Sequence, residues 1–121
     1  MSHPDDLLVD IAAMVEAEHD SQMSLTVVVP GAVITGRLAP EAMWRERVAE
    51  VLRDSEQLGH FARPFTKDGR GGKPSPPTHL HFHVAQILQG SYGIPETGGM
   101  YRVALADVSA WTVGAIGYSD V

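Results

Sequence analysis

Apolar positions along this chain change period from helix to strand and back. From Pro4 to about Gln22, residues Leu7, Leu8, Ile11, Met14 and Val15 recur at helical spacing. That predicts an amphipathic helix whose stripe caps the core, the alternative being that it supports a subunit interface. Ser2 or His3 is the expected N-cap, and Asp5 and Asp6 suit the positive end of the helix dipole. Leu25-Thr26-Val27-Val28-Val29 is apolar and mostly β-branched, so it reads as a strand. Pro30-Gly31 is a tight turn, because Pro presets φ and Gly accepts a positive one. Ala32 to Leu38 returns as the second strand of a hairpin, and Gly36 within it marks a bend or bulge. Pro40 then opens a second helix, to about residue 56, with Trp44, Val48, Val51 and Leu52 on its apolar face. Its opposite face mixes Arg45, Glu46, Arg47, Glu50 and Arg53, as a solvated face does.

The pattern breaks from His60 to Pro77. Four prolines (Pro64, Pro74, Pro76, Pro77) and three glycines (Gly69, Gly71, Gly72) predict a long mobile loop of about 60–78 rather than a helix or a central strand. It is also the one basic segment, with Arg63, Lys67, Arg70 and Lys73 against Asp68. Gly69-Arg70-Gly71-Gly72-Lys73 lacks the GxxxxGK[ST] spacing and the flanking strand and helix of a phosphate-binding loop. Period two resumes in Thr78 to Leu88, a long strand with His79, His81 and His83 at alternate positions. Gln89 to Gly99 is a turn-rich connection. Tyr101 to Ala106 is a fourth strand, Asp107 to Ala110 a short turn, and Trp111 to Ile116 the last strand. Trp44, Tyr101 and Trp111 are expected in the core or at its ends rather than as stacking platforms for bases.

Helix, hairpin, helix, loop and three strands make one domain over residues 1–121. Five strands of this length close most economically into a small, bent barrel without exposed edges. The expected fold is therefore mainly β: a five-stranded Sm-like or SH3-like barrel with an N-terminal helix and a helix-plus-loop insertion between strands two and three. The chain has no cysteine, which excludes disulfides, thiolate metal sites and thiol nucleophiles. No apolar run approaches the roughly 20 residues of a membrane-spanning helix. The acidic N-terminus is not that of a signal peptide, so a cytoplasmic location is expected. A formal net charge of −6 disfavours general binding to nucleic acid.

Candidate chemistry is confined to two places. His79, His81 and His83 share one face of a strand, about 7 Å apart, and a His-x-His pair at that spacing can hold one zinc. His60, Asp68 or Glu96 would have to complete such a site, and no residue presents itself as a general base. The same three imidazoles would otherwise line a solvated or interface face, where protonation makes them repel one another. Arg63, Lys67, Arg70 and Lys73 offer an interaction loop or, in a ring of Sm-like subunits, an RNA contact. No GxSxG nucleophile elbow is present.

Three collinear blocks resemble the gas vesicle accessory protein GvpU family. Ser24 to Leu38 carries strand, Gly turn and an Ala-Val-Ile-small-Gly strand. His81 to Ile87 stands where that family has His-Leu-Lys-Asn-small-x-Ile. Tyr101 to Ile116 stands where that family has an aromatic, Ile-x-x-Val, an acid-Gly pair (here Ser109-Ala110), aromatics and a Leu-Gly-x-Ile ending. The resemblance implies a non-enzymatic protein without cofactor that associates with gas-vesicle shells and tunes their clustering. It implies an Sm-like fold, hence a homo-oligomer whose several weak patches bridge surfaces. The alternatives are a metal-binding module or small metal-dependent enzyme on the His79/His81/His83 face, and an RNA-binding ring.

Overall fold

The structure, a computed structural model, describes residues 3–18, 23–66, 76–89 and 92–114. The first helix, α1, spans Asp6–Glu18. Asp5 is its cap: one carboxylate oxygen accepts from the amides of Leu7 (2.8 Å) and Leu8 (3.2 Å). The cap is thus neither Ser2 nor His3, and Asp5 does more than favour the dipole. The indole N–H of Trp111 also donates to Asp5 (3.3 Å), which ties the helix to the far end of the chain.

Strands β1 (Ser24–Val29) and β2 (Ala32–Leu38) form the expected hairpin around Gly31, whose φ of 84° lies in the left-handed region. Helix α2 covers Glu41–Arg53. The basic segment was expected to be loop from His60 onward, yet its first part is ordered. A 3₁₀ turn at Gly59–Ala62 runs into a short helix, α3, at Arg63–Thr66. Pro64 is compatible because it stands in the first turn, where its missing N–H has no intrahelical partner to lose. Residues 67–75 of that segment, with Lys67, Arg70 and Lys73, lie outside the described residues.

Strand β3 is His79–Gln89 and β4 is Tyr92–Ala104. The predicted turn-rich connection after Gln89 is therefore mostly strand. Pro95 and the glycines are tolerated because β4 is an edge strand, where a missing amide costs no ladder bond on its outer side. Register shifts between Phe82 and Ala85 and between Ala85 and Ile87 absorb the irregularity. A 3₁₀ turn at Leu105–Asp107 leads to β5, Ala110–Val113. Residues 115 and 116 of the expected last strand are outside the described residues.

The strand order is β4-β3-β2-β1-β5, all antiparallel neighbours. Among the described residues β4 and β5 are the two edges and no ladder joins them, so the expected closed barrel is replaced by an open sheet with helices, a mixed rather than mainly β architecture. The sheet is nevertheless strongly coiled. Leu105 donates to the carbonyl of Thr78, and Ser109 donates to that of Val28. Ser24 and His83 both sit opposite Arg37. Thr78 is five residues before His83, and Val28 is four after Ser24. Nine rises, about 30 Å, would separate them in a flat sheet. The four steps from Leu105 to Ser109 reach at most about 14 Å, plus roughly 5 Å for the hydrogen-bonded step at each end. Only a sheet that curls on itself lets so short a link join these points.

The curl encloses the core. Leu8, Ala12 and Val15 on α1 pack with Leu25, Val27, Ile34, Leu38, Leu80, Phe82, Val103 and Leu105. The helix does cap the core, as its stripe predicted. On the opposite face of the hairpin, Thr26 and Thr35 are buried and share a hydrogen bond of 2.8 Å. Thr26 spends its proton on the carbonyl of Gly114 (2.8 Å), so Thr35 is the donor between the two.

Candidate functional site

Alternation along β3 places Leu80 and Phe82 in the core and the three histidines on the other face. That face is not solvated where His81 stands. A two-residue link, Ala39-Pro40, folds α2 back over the strand: Ala39 donates to the carbonyl of His81 (2.9 Å), and Trp44 donates to that of Pro40 (3.0 Å). The Trp44 ring then lies 5.1 Å from the His81 ring and 6.0 Å from Phe65 of α3. His81 is 3% exposed, whereas His79 and His83 are half-buried.

His81 is held as a neutral ring. The Nε–H of Arg102, from β4, donates to its Nε2 (3.1 Å). The ring proton therefore sits on Nδ1, which is buried and has no protein acceptor among the described residues. Burial lowers its pKa to about 4, Glu41 opposes the shift, and Arg102 adds to it, with smaller contributions from His79 and Arg45. His79 is also lowered, by burial and Arg102 against Glu41 and Asp107. His83 is lowered by burial and by the cations Arg47 and Arg37. Arg37 is its direct cross-strand partner.

Glu41 is the hub of the polar layer. Its Oε2 takes the Nε–H of Arg45 at 2.8 Å, pairs with the same guanidinium a second time at 2.8 Å, and lies 4.0 Å from Arg102. The Glu41 amide, one of the unpaired donors that open α2, is capped by the carboxylate of Glu16 from the end of α1 (2.7 Å). Arg45 reaches on to the carbonyl of Pro64 (3.3 Å). The layer thus pins both helices and β4 around β3.

Beside it, Glu16, His79 and His81 line a cavity of about 10 Å³ with Ala12, Val15, Leu38, Ala39 and Leu80. This is room for a single water at most. Among the described residues no three His, Asp or Glu side chains converge where a metal ion would sit. His60 stacks on Phe61 (4.1 Å) in the 3₁₀ turn, while Asp68 and the side chain of Glu96 lie outside the described residues. Of the basic set, Arg63 opens α3 and is exposed. Lys67, Arg70 and Lys73 are not described.

Glu41 with Arg45 was legible as an i,i+4 pair behind Pro40. Glu16 and Arg102 were not, because nothing local to either marks a partner 25 or 21 residues away. The exposed surface carries large apolar side chains that periodicity assigned inward, Leu7 and Met14 on α1 and Val51 on α2, and it also carries Leu58 and Phe61 around the 3₁₀ turn. No helix among the described residues is long and apolar enough to cross a membrane.

A family model described as gas vesicle protein GvpU-like matches residues 5–116, from the cap of α1 to just beyond β5. No curated protein matches the chain, and no solved structure matches it.

Proposed function

The chain belongs to the GvpU-like family of gas vesicle proteins, and from that membership we propose that it is a non-enzymatic accessory protein that binds vesicle shells and modulates their clustering. The family match over nearly the whole described fold is the observation that carries this reading. The site geometry agrees with it. His81 Nε2, Arg102, Arg45, Glu41 and Glu16 engage one another and the start of α2, while apolar side chains are left exposed on the helices. Such a surface suits contact with other proteins rather than turnover of a small molecule.

The protein acts as a homo-oligomer, so that several weak shell contacts add in avidity. Arg63 with Lys67, Arg70 and Lys73 supplies a basic contact region. The coiled order β4-β3-β2-β1-β5 supports kinship with Sm-like barrels. The protein works in the cytoplasm at the vesicle surface.

Flotation of purified gas vesicles with the purified protein tests the proposal. Protein recovered in the floating layer, together with clusters visible by microscopy, is the expected result. Protein left in the subnatant at every pH and salt concentration would refute it.

A further inference from the structure

The charge of this chain is segregated. Its first 36 residues contain six acids (Asp5, Asp6, Asp10, Glu16, Glu18 and Asp20) and no Lys or Arg. From Arg37 onward nine Lys and Arg meet nine Asp and Glu, so the whole net charge of −6 sits in the N-terminal part. The fold turns this into two faces. Helix α1 lies on the Leu80/Phe82 side of β3, and α2 lies on the His81 side.

Each face has a remainder that its own chain leaves uncovered. On α1 the ridge Leu8–Ala12–Val15 is buried, and on the adjacent ridge Ile11 is half-buried against the core while Leu7 and Met14 are left out. Leu7 and Met14 are each 59% exposed. Asp6 and Asp10 flank it and form no ion pair with a described residue. On the other face, Arg37 and His83 form a cross-strand pair, and Arg47 of α2 adds its charge to the same spot. One helical turn beyond Arg47 stands Val51, also 59% exposed. Glu46 and Glu50 occupy the neighbouring ridge of α2.

We infer that the acidic, apolar ridge of α1 in one copy docks on the Arg37–Arg47–Val51 surface of a second copy. Charge and apolar character are complementary, and the two surfaces lie on opposite faces of one sheet, so a single chain cannot bring them together. The contact is therefore heterologous: each copy offers one of each surface and the association propagates. A helix of 13 residues is about 20 Å long, so its ridge covers well under the roughly 800 Å² per partner of a standard interface. Each contact is accordingly weak and reversible. This deepens the clustering function and rests on it for its biological use, since copies held on one vesicle can join copies held on another.

Sedimentation velocity of the purified protein over a range of concentrations tests the inference without vesicles. Wild type is expected to gain mass with concentration, and raising salt from 50 to 500 mM is expected to weaken the association by roughly tenfold. The double variants Leu7→Ser/Met14→Ser and Arg37→Asp/Arg47→Glu alter exposed side chains, so circular dichroism should be unchanged. Each alone is expected to remain monomeric. A mixture of the two retains one intact pair of surfaces and is expected to form a capped dimer. Reversal of both sides in one chain (Asp6→Arg and Asp10→Arg with Arg37→Asp and Arg47→Glu) is expected to restore association. A wild type that stays monomeric, variants that still associate, or a mixture that gives no dimer would each overturn the inference. On vesicles, the double variants are expected to float without clustering. A wild type that associates in solution but never floats would refute the vesicle reading and leave this contact standing.

Discussion

Acidification from pH 7 to pH 4 should destabilise this protein through His81 in particular. The ring is 3% exposed, lies against Trp44 and accepts from Arg102, so the fold holds it neutral. Its pKa is lowered from 6.5 to about 4, mainly by burial. The unfolded chain takes up the proton below pH 6.5, whereas the folded chain does so only near pH 4. Stability therefore falls as pH drops across that interval and levels off below it. At 1.36 kcal/mol per pH unit the loss is about 3 kcal/mol, a large fraction of the 5–15 kcal/mol that holds an ordinary domain together. His79 and His83, also lowered from 6.5, act with the same sign as pH falls below that value. Asp5, whose pKa is lowered from 3.8 by its bond from Trp111 and its helix-capping bonds, matters only below about pH 3.8. Urea unfolding of wild type and His81→Gln, followed by tryptophan fluorescence at pH 7, 5.5 and 4, isolates the effect. Every other titrating group is common to both proteins. The free-energy difference between them should shift by about 3 kcal/mol in favour of the variant between pH 7 and pH 4. A difference that stays constant across that range would show that His81 is not held neutral, and the burial argument would fall.

Two more substitutions probe the ties that position the layers. Thr26→Val removes the bond to Gly114 and leaves the Thr35 hydroxyl without that acceptor, at an expected cost of about 1–3 kcal/mol in urea unfolding at pH 7. Glu16→Ala uncaps the first amide of α2 and should cost about 1 kcal/mol by the same assay, with Glu16→Gln recovering part of it because its amide oxygen still accepts.

These expectations mark where local pattern stops being informative. The hairpin of β1 and β2, the long β3 and the place of α1 over the core follow from periodicity, because each needs only the spacing of apolar residues within one segment. Period two likewise puts His79, His81 and His83 on one face. What lies over that face is not written in β3. It is decided by the short Ala39-Pro40 link, which brings Trp44 down on His81, and by an arginine on the neighbouring strand. The open sheet escaped prediction for a related reason. Closure depends on whether β4 and β5 meet, and neither strand carries a local mark of its edge partner.

Helix α1 shows how a mismatch of this kind becomes informative. Six large apolar residues from Leu7 to Val15 make an apolar surface wider than one sheet face can cover. The coiled sheet takes Leu8, Ala12 and Val15 and leaves Leu7 and Met14 in water, edged by Asp6 and Asp10. Leaving two large apolar side chains 59% exposed forgoes roughly 1–2 kcal/mol each, a cost that a second copy removes when it covers them. An apolar stripe that exceeds the face it packs on, in the one part of the chain that carries all the net charge, is thus a sequence-level sign of association. It becomes readable once the fold shows which half of the stripe the core has used.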